Sequence, residues 1–378
     1  MIYFDNAATT FPKPQCVAEE ISRCIKKYCG NPGRSSHYLS LKSAEKIFET
    51  RTLLSEMFNC EVENIVFTYN TTYALNFAIK SLLKFSTNVL VSEIEHNSVF
   101  RPITKLTREK LCTYDIFSVK GTKDEILENI LSKITPNTSM LVCTHTSNIG
   151  AITLPIKEIG ALCKEKNISF IVDGAQSAGI HKIDLKEMNI NALCIPAHKG
   201  LYGPQGVGAI LYNDIDKFQR TIIEGGTGIN SLEDSMPDFL PEMQEGGTLS
   251  TPSIAGWCEA LKWIKSLDID KIRSHEEDLY SICLNKLKEN NNIITYESGK
   301  CLGNTLIFNV KNATPSLICH EFDKNKICLR GGFHCTPLGH KFFNTGEFGA
   351  IRISFSVFNT RSEVYHFIDV LNEITTKK

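Results

Sequence analysis

The sequence predicts an α/β protein with a large, doubly wound, mostly parallel sheet domain and a smaller α+β domain. Between residues 60 and 215, short apolar runs alternate with amphipathic stretches. Residues 253–291 have the spacing of a long helix, with a break expected near 267–270. The last third of the chain mixes strand-like and helical runs. Continuous apolar strands that alternate with helices are typical of parallel sheets covered on both faces.

The elements follow this plan in order along the chain. Apolar runs of the large domain predict strands at 65–69, 88–94, 138–145, 169–174, 191–196 and 206–212. Apolar residues at helical spacing predict helices at 71–83 and 156–167. The smaller domain has strand-like runs at 304–310, 326–331 and 350–357 and ends in a helix. We therefore place a large domain at 15–255 and a small domain at 1–14 and 256–378, joined by a continuous helix.

Composition and charge exclude several classes of protein. The formal net charge is -1 and no basic segment stands out, which argues against nucleic-acid binding. The N-terminal residues lack a signal-peptide pattern, and no apolar run approaches the roughly 18 residues of a membrane span. The 14 cysteines are scattered without a CxxC pair, so we expect no structural metal. These features predict a cytoplasmic protein that binds neither nucleic acid nor membrane.

Polar clusters follow several predicted strands, where ligands gather in open α/β sheets. Thr71 and Thr72 stand with Asn70 before a helix, either as an ordinary N-cap or as a phosphate site. Asp173 ends an apolar strand, either as a turn residue or as a carboxylate that faces a cation. Gln176 follows three residues later and has the reach to donate to the same ligand.

Two further clusters contain titratable side chains. Lys199 follows His198 in a glycine-rich turn, either as a solvated lysine or as a desolvated amine that forms an imine. His96 ends a predicted core strand, and its role is either structural or catalytic. Singly, these readings stay open. Together, a phosphate site, a carboxylate for a ring nitrogen and a lysine for an aldehyde specify pyridoxal 5'-phosphate (PLP).

Ordered motifs over nearly the whole length resemble one family. They include YFDNAATT, NPGRSSH, TYNTTYALN, SEIEHNS, THTSNIGAI, VDGAQSAG, AHKGLYGPQGVGAI, EGGTLSTPS, RGGFHCTP and IRISFSVFNT. The chain is similar in these motifs to the class V aminotransferase family of fold-type I PLP enzymes, and within it to the cysteine desulfurases and selenocysteine lyases. The resemblance implies a fold-type I PLP-dependent transferase, a PLP cofactor and a homodimer.

The resemblance also implies roles around the cofactor. Lys199 would bond to the PLP aldehyde and later move the Cα proton, Asp173 would pair with the ring nitrogen, and His96 would stack on the ring. The remaining implied contacts are with the ring hydroxyl (Gln176), the phosphate (Thr71, Thr72 and His198), the phosphate of the neighbouring subunit (Thr248), and the ring and substrate (Asn148). One departure concerns residues 195–197, which read Ile-Pro-Ala where family members often carry a hydroxyl for the phosphate.

Substrate roles follow from the same resemblance. Arg352 would bind the substrate α-carboxylate with its planar guanidinium group. Arg330 would lie near the Cys335 loop, and the implied lining of the substrate mouth is Asn31, Arg34 and His37. Cys335 occupies the position of the sulfur-accepting cysteine, in a short loop, where Arg330 and His334 are expected to favour its thiolate.

The resulting hypothesis is a cysteine desulfurase that converts L-cysteine to L-alanine, with the sulfur carried as a persulfide on Cys335. A sulfur-acceptor protein is an expected partner. A selenocysteine lyase remains an alternative, because it need not use an attacking cysteine. Elimination at the C–S bond of cysteine derivatives is a second alternative, transamination a third, and a PLP-binding regulator without turnover a fourth.

Overall fold

The computed structural model describes residues 1–33, 36–213, 218–297 and 303–376. The strands are β1 (Ile2–Tyr3), β2 (Ile65–Thr68), β3 (Thr87–Ser92), β4 (Cys112–Phe117), β5 (Thr138–Thr144), β6 (Ser169–Asp173), β7 (Ala192–Pro196), β8 (Gly208–Tyr212), β9 (Ile293–Thr295), β10 (Thr305–Val310), β11 (Ile327–Cys328), β12 (Arg330–Gly332) and β13 (Ala350–Ser354).

Helices cover both faces of the larger sheet. They are α1 (Gln15–Lys27), α2 (Tyr38–Phe58), α3 (Thr71–Leu82), α4 (Asn97–Arg108), α5 (Lys123–Lys133), α6 (Ile156–Glu165), α7 (Thr251–Leu267), α8 (Ile269–Lys288), α9 (Pro315–Lys324), α10 (Pro337–Phe343) and α11 (Arg361–Thr376). Within the described part of the chain, no helix combines the length and apolarity that a membrane span requires.

The larger sheet has the strand order β2-β8-β7-β6-β5-β3-β4. Neighbours from β7 to β4 pair in parallel, which confirms the predicted mostly parallel sheet. The predicted strand at 206–212 forms β8, which is antiparallel to both β2 and β7. The physical reason is the short connection at 197–207, which contains no crossover helix, and a parallel return needs one.

Alternating side chains of each central strand belong to two separate cores. Leu141 and Cys143 of β5 pack in the core on one face, whereas Met140 and Val142 pack in the core on the other. Both faces are therefore covered, as the continuous apolar runs indicate. Because the strands β3, β5, β6 and β7 are parallel, the residues that follow them meet at one edge of the sheet.

The smaller sheet has the antiparallel order β12-β13-β10-β9. The run at 326–331, predicted as a single strand, is split into β11 and β12 at Leu329 because the two halves pair with different partners. β11 pairs in parallel with β1, and β12 pairs with β13. Phe4 follows β1 into the core of the smaller sheet, where its ring meets Phe355 and Phe367 edge to face.

The predicted break in the long helix is confirmed at Asp268, between α7 and α8. Asp268 has φ 74°, and its side chain accepts a hydrogen bond from the backbone N–H of Asp270 at 3.0 Å. The domain boundary expected at residue 255 falls inside α7. Trp257 and Ile264, beyond that boundary, pack in a core of the larger sheet. The core of the larger sheet therefore includes residues of α7 beyond position 255.

Candidate active site

A cavity of about 510 Å³ lies at the edge of the larger sheet where β5, β6 and β7 end. The beginnings of α3 and α4 form one wall, and β12 and β13 of the smaller sheet supply two arginines to another. The cavity brings together many of the predicted site residues, namely Thr71, Thr72, His96, Asn148, Asp173, Gln176, His198, Lys199, Arg330 and Arg352.

Lys199 faces this cavity directly after the turn that follows β7. Desolvation lowers its pKa from 10.5 to about 8, with Arg352 and Arg330 acting in the same direction and Asp173 opposing them. Its backbone carbonyl accepts hydrogen bonds from the N–H of Tyr202 at 2.8 Å and the hydroxyl of Thr10 at 3.2 Å. The lysine is therefore not a solvated turn residue. It presents an amine that loses its proton close to neutral pH.

The backbone beside Lys199 is held by a second lysine. The Lys13 ammonium donates to the carbonyl of His198 at 2.7 Å and contacts the Thr10 hydroxyl at 2.6 Å. Burial lowers the pKa of Lys13 to about 7. Sequence reasoning missed Lys13 and Thr10, although both lie at the end of or just beyond the YFDNAATT motif, which was the available signal.

Asp173 ends β6 and is buried beside the cavity. Its Oδ1 accepts the backbone N–H of Ala175 at 3.0 Å. Desolvation raises its pKa, while the Ala175 hydrogen bond and the charge of Lys199 lower it. Gln176, three residues on, donates its amide to the carbonyl of Ala7 at 3.0 Å. A buried carboxylate with one backbone donor is suited to meet a further cation in the cavity.

The N-termini of α3 and α4 form one wall of the cavity. Asn70 caps α3 by accepting from the N–H of Tyr73 at 3.2 Å, which leaves the hydroxyls of Thr71 and Thr72 for other partners. Thr72 Oγ1 lies 2.8 Å from Ser98 Oγ at the start of α4. Thr71 Oγ1 is buried without a hydrogen-bond partner in the structure. Thus the capping and the anion-binding readings of this cluster are compatible, since different residues serve each.

A histidine contributed by the turn after β7 completes this wall. His198 Nδ1 is also buried without a hydrogen-bond partner, and burial lowers the pKa of His198 to about 3. Ser98, which sequence reasoning missed, adds a hydroxyl near the helix ends, whereas residues 195–197 supply none. The unpaired buried atoms of Thr71 and His198 mark a place that a polar ligand would satisfy.

His96 lies between β3 and α4 and is a neutral imidazole. Burial, chiefly, and the positive charge of Lys199 lower its pKa to about 4. Its Nδ1 accepts the backbone N–H of Ser98 at 3.1 Å as the N-cap of α4, so the proton is on Nε2. The histidine therefore has a structural role and also presents its ring to the cavity.

Arg352 reaches the cavity from β13 and is fully buried. Its Nη2 donates to Asp5 Oδ1 at 2.6 Å and its Nη1 to the carbonyl of Asn148 at 3.3 Å, while Nε has no partner. Asp5, missed as a site residue, belongs to the YFDNAATT motif. Desolvation lowers the pKa of Arg352, and Asp5 opposes this. The guanidinium retains donor capacity for one more acceptor in the cavity.

Cys335 is exposed beside the cavity, and its setting differs from the expected one in one respect. Arg330 lines the cavity as expected, but His334 is only 3% exposed. Burial, aided by Arg352, lowers the pKa of His334 to about 2. A neutral His334 does not favour the thiolate by a positive charge. Arg330 remains the cation of the loop.

Several predicted residues lie away from this cavity. Thr248 lines a second cavity of about 150 Å³. His37 caps α2 by accepting from the N–H of Ser40, and the carbonyl of Asn31 accepts from the Ser40 hydroxyl at 2.8 Å. Neither Asn31 nor His37 lines the site cavity of its own chain. Arg34 lies outside the described residues.

The fold and the cavity define an α/β enzyme site built around a desolvated lysine. The family model for aminotransferase class-V matches residues 2–367. The chain therefore belongs to the class V aminotransferase family.

Individual relatives agree with this assignment. A probable cysteine desulfurase of Pyrococcus abyssi is 30% identical over 385 residues, covering 99% of this chain and 94% of the relative. A cysteine desulfurase of Haloferax volcanii is 27% identical, covering 98% and 89%. The apo structure of a cysteine desulfurase from Thermococcus onnurineus superimposes with a TM-score of 0.90 at 28% identity, covering 100% of this chain and 95% of that one.

Proposed function

We propose that this protein is a PLP-dependent cysteine desulfurase, which converts L-cysteine to L-alanine and transfers the sulfur to Cys335 as a persulfide. The observation that carries the proposal is that Lys199 and Arg352 line one cavity and that Cys335 directly follows His334, which lines the same cavity. Lys199 supplies an amine that loses its proton close to neutral pH, and Arg352 supplies a buried guanidinium group that can bind a carboxylate. Cys335 supplies an exposed thiol. The cysteine desulfurases among the similar proteins support the same activity.

The residues of the cavity fit PLP. Lys199 has the amine for its aldehyde and Asp173 the carboxylate for its ring nitrogen. Thr71 and His198 have buried polar atoms without partners, and Thr72 and the start of α3 adjoin them, as a phosphate requires. When bound, PLP supplies an electron-withdrawing ring that acidifies the substrate Cα. His96 is suited to cover one face of that ring because it is neutral and fixed as an N-cap.

The chain's own groups then carry the proton and the sulfur. Arg352 binds the substrate carboxylate and orients the Cα–H bond towards Lys199. The Lys199 amine takes the Cα proton and returns it during the reaction. The Cys335 thiolate attacks the substrate sulfur, so a new S–S bond forms as the carbon–sulfur bond breaks. The carbon left behind takes up a proton and leaves as alanine. Asn148 lines the same cavity and would contact the ring or the substrate.

Alanine release from L-cysteine tests this proposal. We expect Cys335→Ala to abolish alanine formation, because none of the cysteines that the structure describes lines the cavity and could take over the attack. We expect Lys199→Ala to abolish it as well. Cys29→Ala is the matched control, since Cys29 is also an exposed thiol but follows α1 and is not next to a residue that lines the cavity, as Cys335 is next to His334. Alanine formation by Cys335→Ala at the wild-type rate would exclude the persulfide mechanism. Selenocysteine assayed in parallel separates a desulfurase from a selenocysteine lyase, and pyruvate as the product would indicate elimination.

We further propose that the enzyme is a homodimer in which Thr248 reaches the phosphate of the second subunit. The support is the position of Thr248 in the second cavity, whose lining includes the exposed Tyr69 and shares Tyr73 with the site cavity. Light scattering should give twice the mass of the chain, and a monomer at micromolar concentration would contradict the proposal. Thr248→Val should weaken PLP retention.

Two proposals concern the cellular setting. We propose a cytoplasmic location, which is supported by the free state of the cysteines that the structure describes. We also propose that a separate acceptor protein removes the sulfur, because Cys335 is exposed and must be cleared before the next turnover. Cell fractionation tests the first. Transfer of labelled sulfur from Cys335 to a protein thiol, rather than only to small thiols, tests the second.

A further inference from the structure

The loop that carries Cys335 has an unusual backbone. His334 has φ 49° and Cys335 has φ 58°, so two consecutive residues other than glycine are in the left-handed region. L-amino acids with large side chains are disfavoured there, and such residues persist only where the surroundings hold them. The Cys335 side chain is exposed and does not line the cavity, so its own packing cannot supply that restraint. Neighbouring residues must hold the loop.

Three hydrogen-bonded residues contact this loop, namely Thr345, His340 and His334. We call this series the histidine chain. Thr345 Oγ1 lies 2.7 Å from His340 Nδ1, and His340 Nε2 lies 3.2 Å from His334 Nδ1. His334 Nε2 lies 3.3 Å from the backbone oxygen of Arg330. The two imidazole rings lie nearly parallel, with an angle of 17° between their planes and 5.4 Å between their centroids, and both residues are buried.

The Arg330 carbonyl determines the direction of every hydrogen bond in the histidine chain. A carbonyl only accepts, so His334 carries its proton on Nε2 and accepts on Nδ1. His340 must then donate from Nε2 and accept on Nδ1, and Thr345 donates to it. This order satisfies all four ring nitrogens with both histidines neutral. Burial lowers the pKa of His340 to about 4, against the opposing effect of a hydrogen bond with the Phe333 backbone, so the ring is neutral near pH 7 and this order is retained there.

Three further contacts tie the same loop to the active site. The carbonyl of His334 accepts from Asn148 Nδ2 at 2.8 Å, and Asn148 Oδ1 accepts from Thr336 Oγ1 at 2.6 Å. The carbonyl of Cys335 accepts from the backbone N–H of Asn97 at 2.8 Å, next to His96 at the start of α4. Hydrogen bonds from Asn148 and Asn97 thus fix the backbone carbonyls of His334 and Cys335. The histidine chain fixes the imidazole ring of His334.

We propose that Thr345, His340 and His334 are positioning residues that hold the Cys335 thiol in place for attack at the cavity mouth. The proposal rests on the proposed function, in which Cys335 accepts the substrate sulfur. A neutral histidine chain restrains the loop without adding a positive charge beside the thiol. The attack should depend on it more than substrate binding does, because Arg352 binds the carboxylate from β13, outside this loop.

The test compares variants at His340 in the PLP-loaded enzyme. His340→Leu removes both ring nitrogens, whereas His340→Gln keeps an amide N–H for His334 Nδ1 and an oxygen for Thr345. We expect His340→Leu to lower kcat for alanine formation about 10- to 100-fold, as a displaced reacting group does, with KM for cysteine unchanged. His340→Gln should restore most of kcat. Equal kcat in wild type and His340→Leu, or equal losses in the Leu and Gln variants, would overturn the positioning role.

A second measurement reports how firmly the loop holds Cys335, and it does not require turnover. Iodoacetamide alkylation of Cys335, followed by mass spectrometry, should be several-fold faster in His340→Leu than in wild type or His340→Gln, with Cys29 as the internal control. Thr345→Val removes one hydroxyl, serves if His340→Leu does not fold, and should show the same acceleration to a smaller extent. Alkylation of Cys335 at the wild-type rate in these variants would refute the positioning role alone. Full activity of Cys335→Ala would refute the proposed function instead.

Discussion

The titration of Lys199 gives the sharpest test of the site, because the structure predicts both its midpoint and the direction of two perturbations. Burial lowers the pKa from 10.5 to about 8. At pH 7 about a tenth of the Lys199 side chains would be neutral, against about 0.03% for a lysine of pKa 10.5, which is a difference of about 300-fold. Substitution of Asp173 by Asn should lower the midpoint further, and substitution of Arg352 by Gln should raise it.

Competitive labelling of the PLP-free protein measures this midpoint directly. The protein is treated with a trace of isotopically labelled acetic anhydride at a series of pH values, and peptides are quantified by mass spectrometry. The cavity admits so small a reagent, and the exposed Lys84 provides an internal control. We expect the reactivity of Lys199 to rise with a midpoint near pH 8.

Two outcomes would refute the reasoning. A midpoint for Lys199 near that of an ordinary solvated lysine, about 10.4, would show that the amine is not desolvated. A midpoint unchanged in both Asp173→Asn and Arg352→Gln would show that these charges do not act on Lys199. Opposite shifts in the two variants would confirm the electrostatic account, since a general loss of structure moves both in the same direction.

Two further predictions concern the scaffold. Gly179 has φ 86°, and an added Cβ would lie 2.0 Å from the carbonyl oxygen of Gly200, next to Lys199, so Gly179→Ala should cost about 2–5 kcal/mol in unfolding free energy and lower kcat. Gly206→Ala is the control, with φ 82° and open space, and should cost only about 1–2 kcal/mol; equal effects in urea unfolding would contradict the steric argument. Burial raises the pKa of Glu276 from 4.5 to about 8, so its contribution to stability is full below about pH 4.5 and is lost as the pH rises to 8. Wild type should lose up to about 5 kcal/mol relative to Glu276→Gln between these pH values, and a difference independent of pH would contradict this.

The spacing of apolar residues, and the residues that end helices and strands, predicted most of the fold. The helix predicted at 71–83 is α3, and the break expected near 267–270 is at Asp268. The misses have local causes. β4 (Cys112–Phe117) was not predicted, because it is an edge strand whose middle residues are partly exposed and polar. β8 is antiparallel because its connection is short, and strand direction is not visible in a single apolar run.

The site residues follow a similar division. Lys199, Asp173 and Thr71 were visible because each is a polar residue after an apolar strand, at the edge where such residues must meet. Asn31 and His37 were inferred from family motifs, and the structure places them away from the cavity of their own chain. Lys13 and Ser98 went unnoticed, since a lysine and a serine have no periodic signal that separates a site residue from a surface one.

The amino-acid order alone predicted the alternation of strands and helices, because that pattern depends on residues close together in the chain. It also indicated Lys199, Asp173 and Thr71 as polar residues that follow strands. The protonation states and the order of hydrogen bonds required the folded molecule. Arg352 and Asp5 are separated by 347 positions, and the neutral state of His334 depends on burial and on that arginine. Charge and desolvation act through space, so the chemistry of each group is determined only when distant segments pack together.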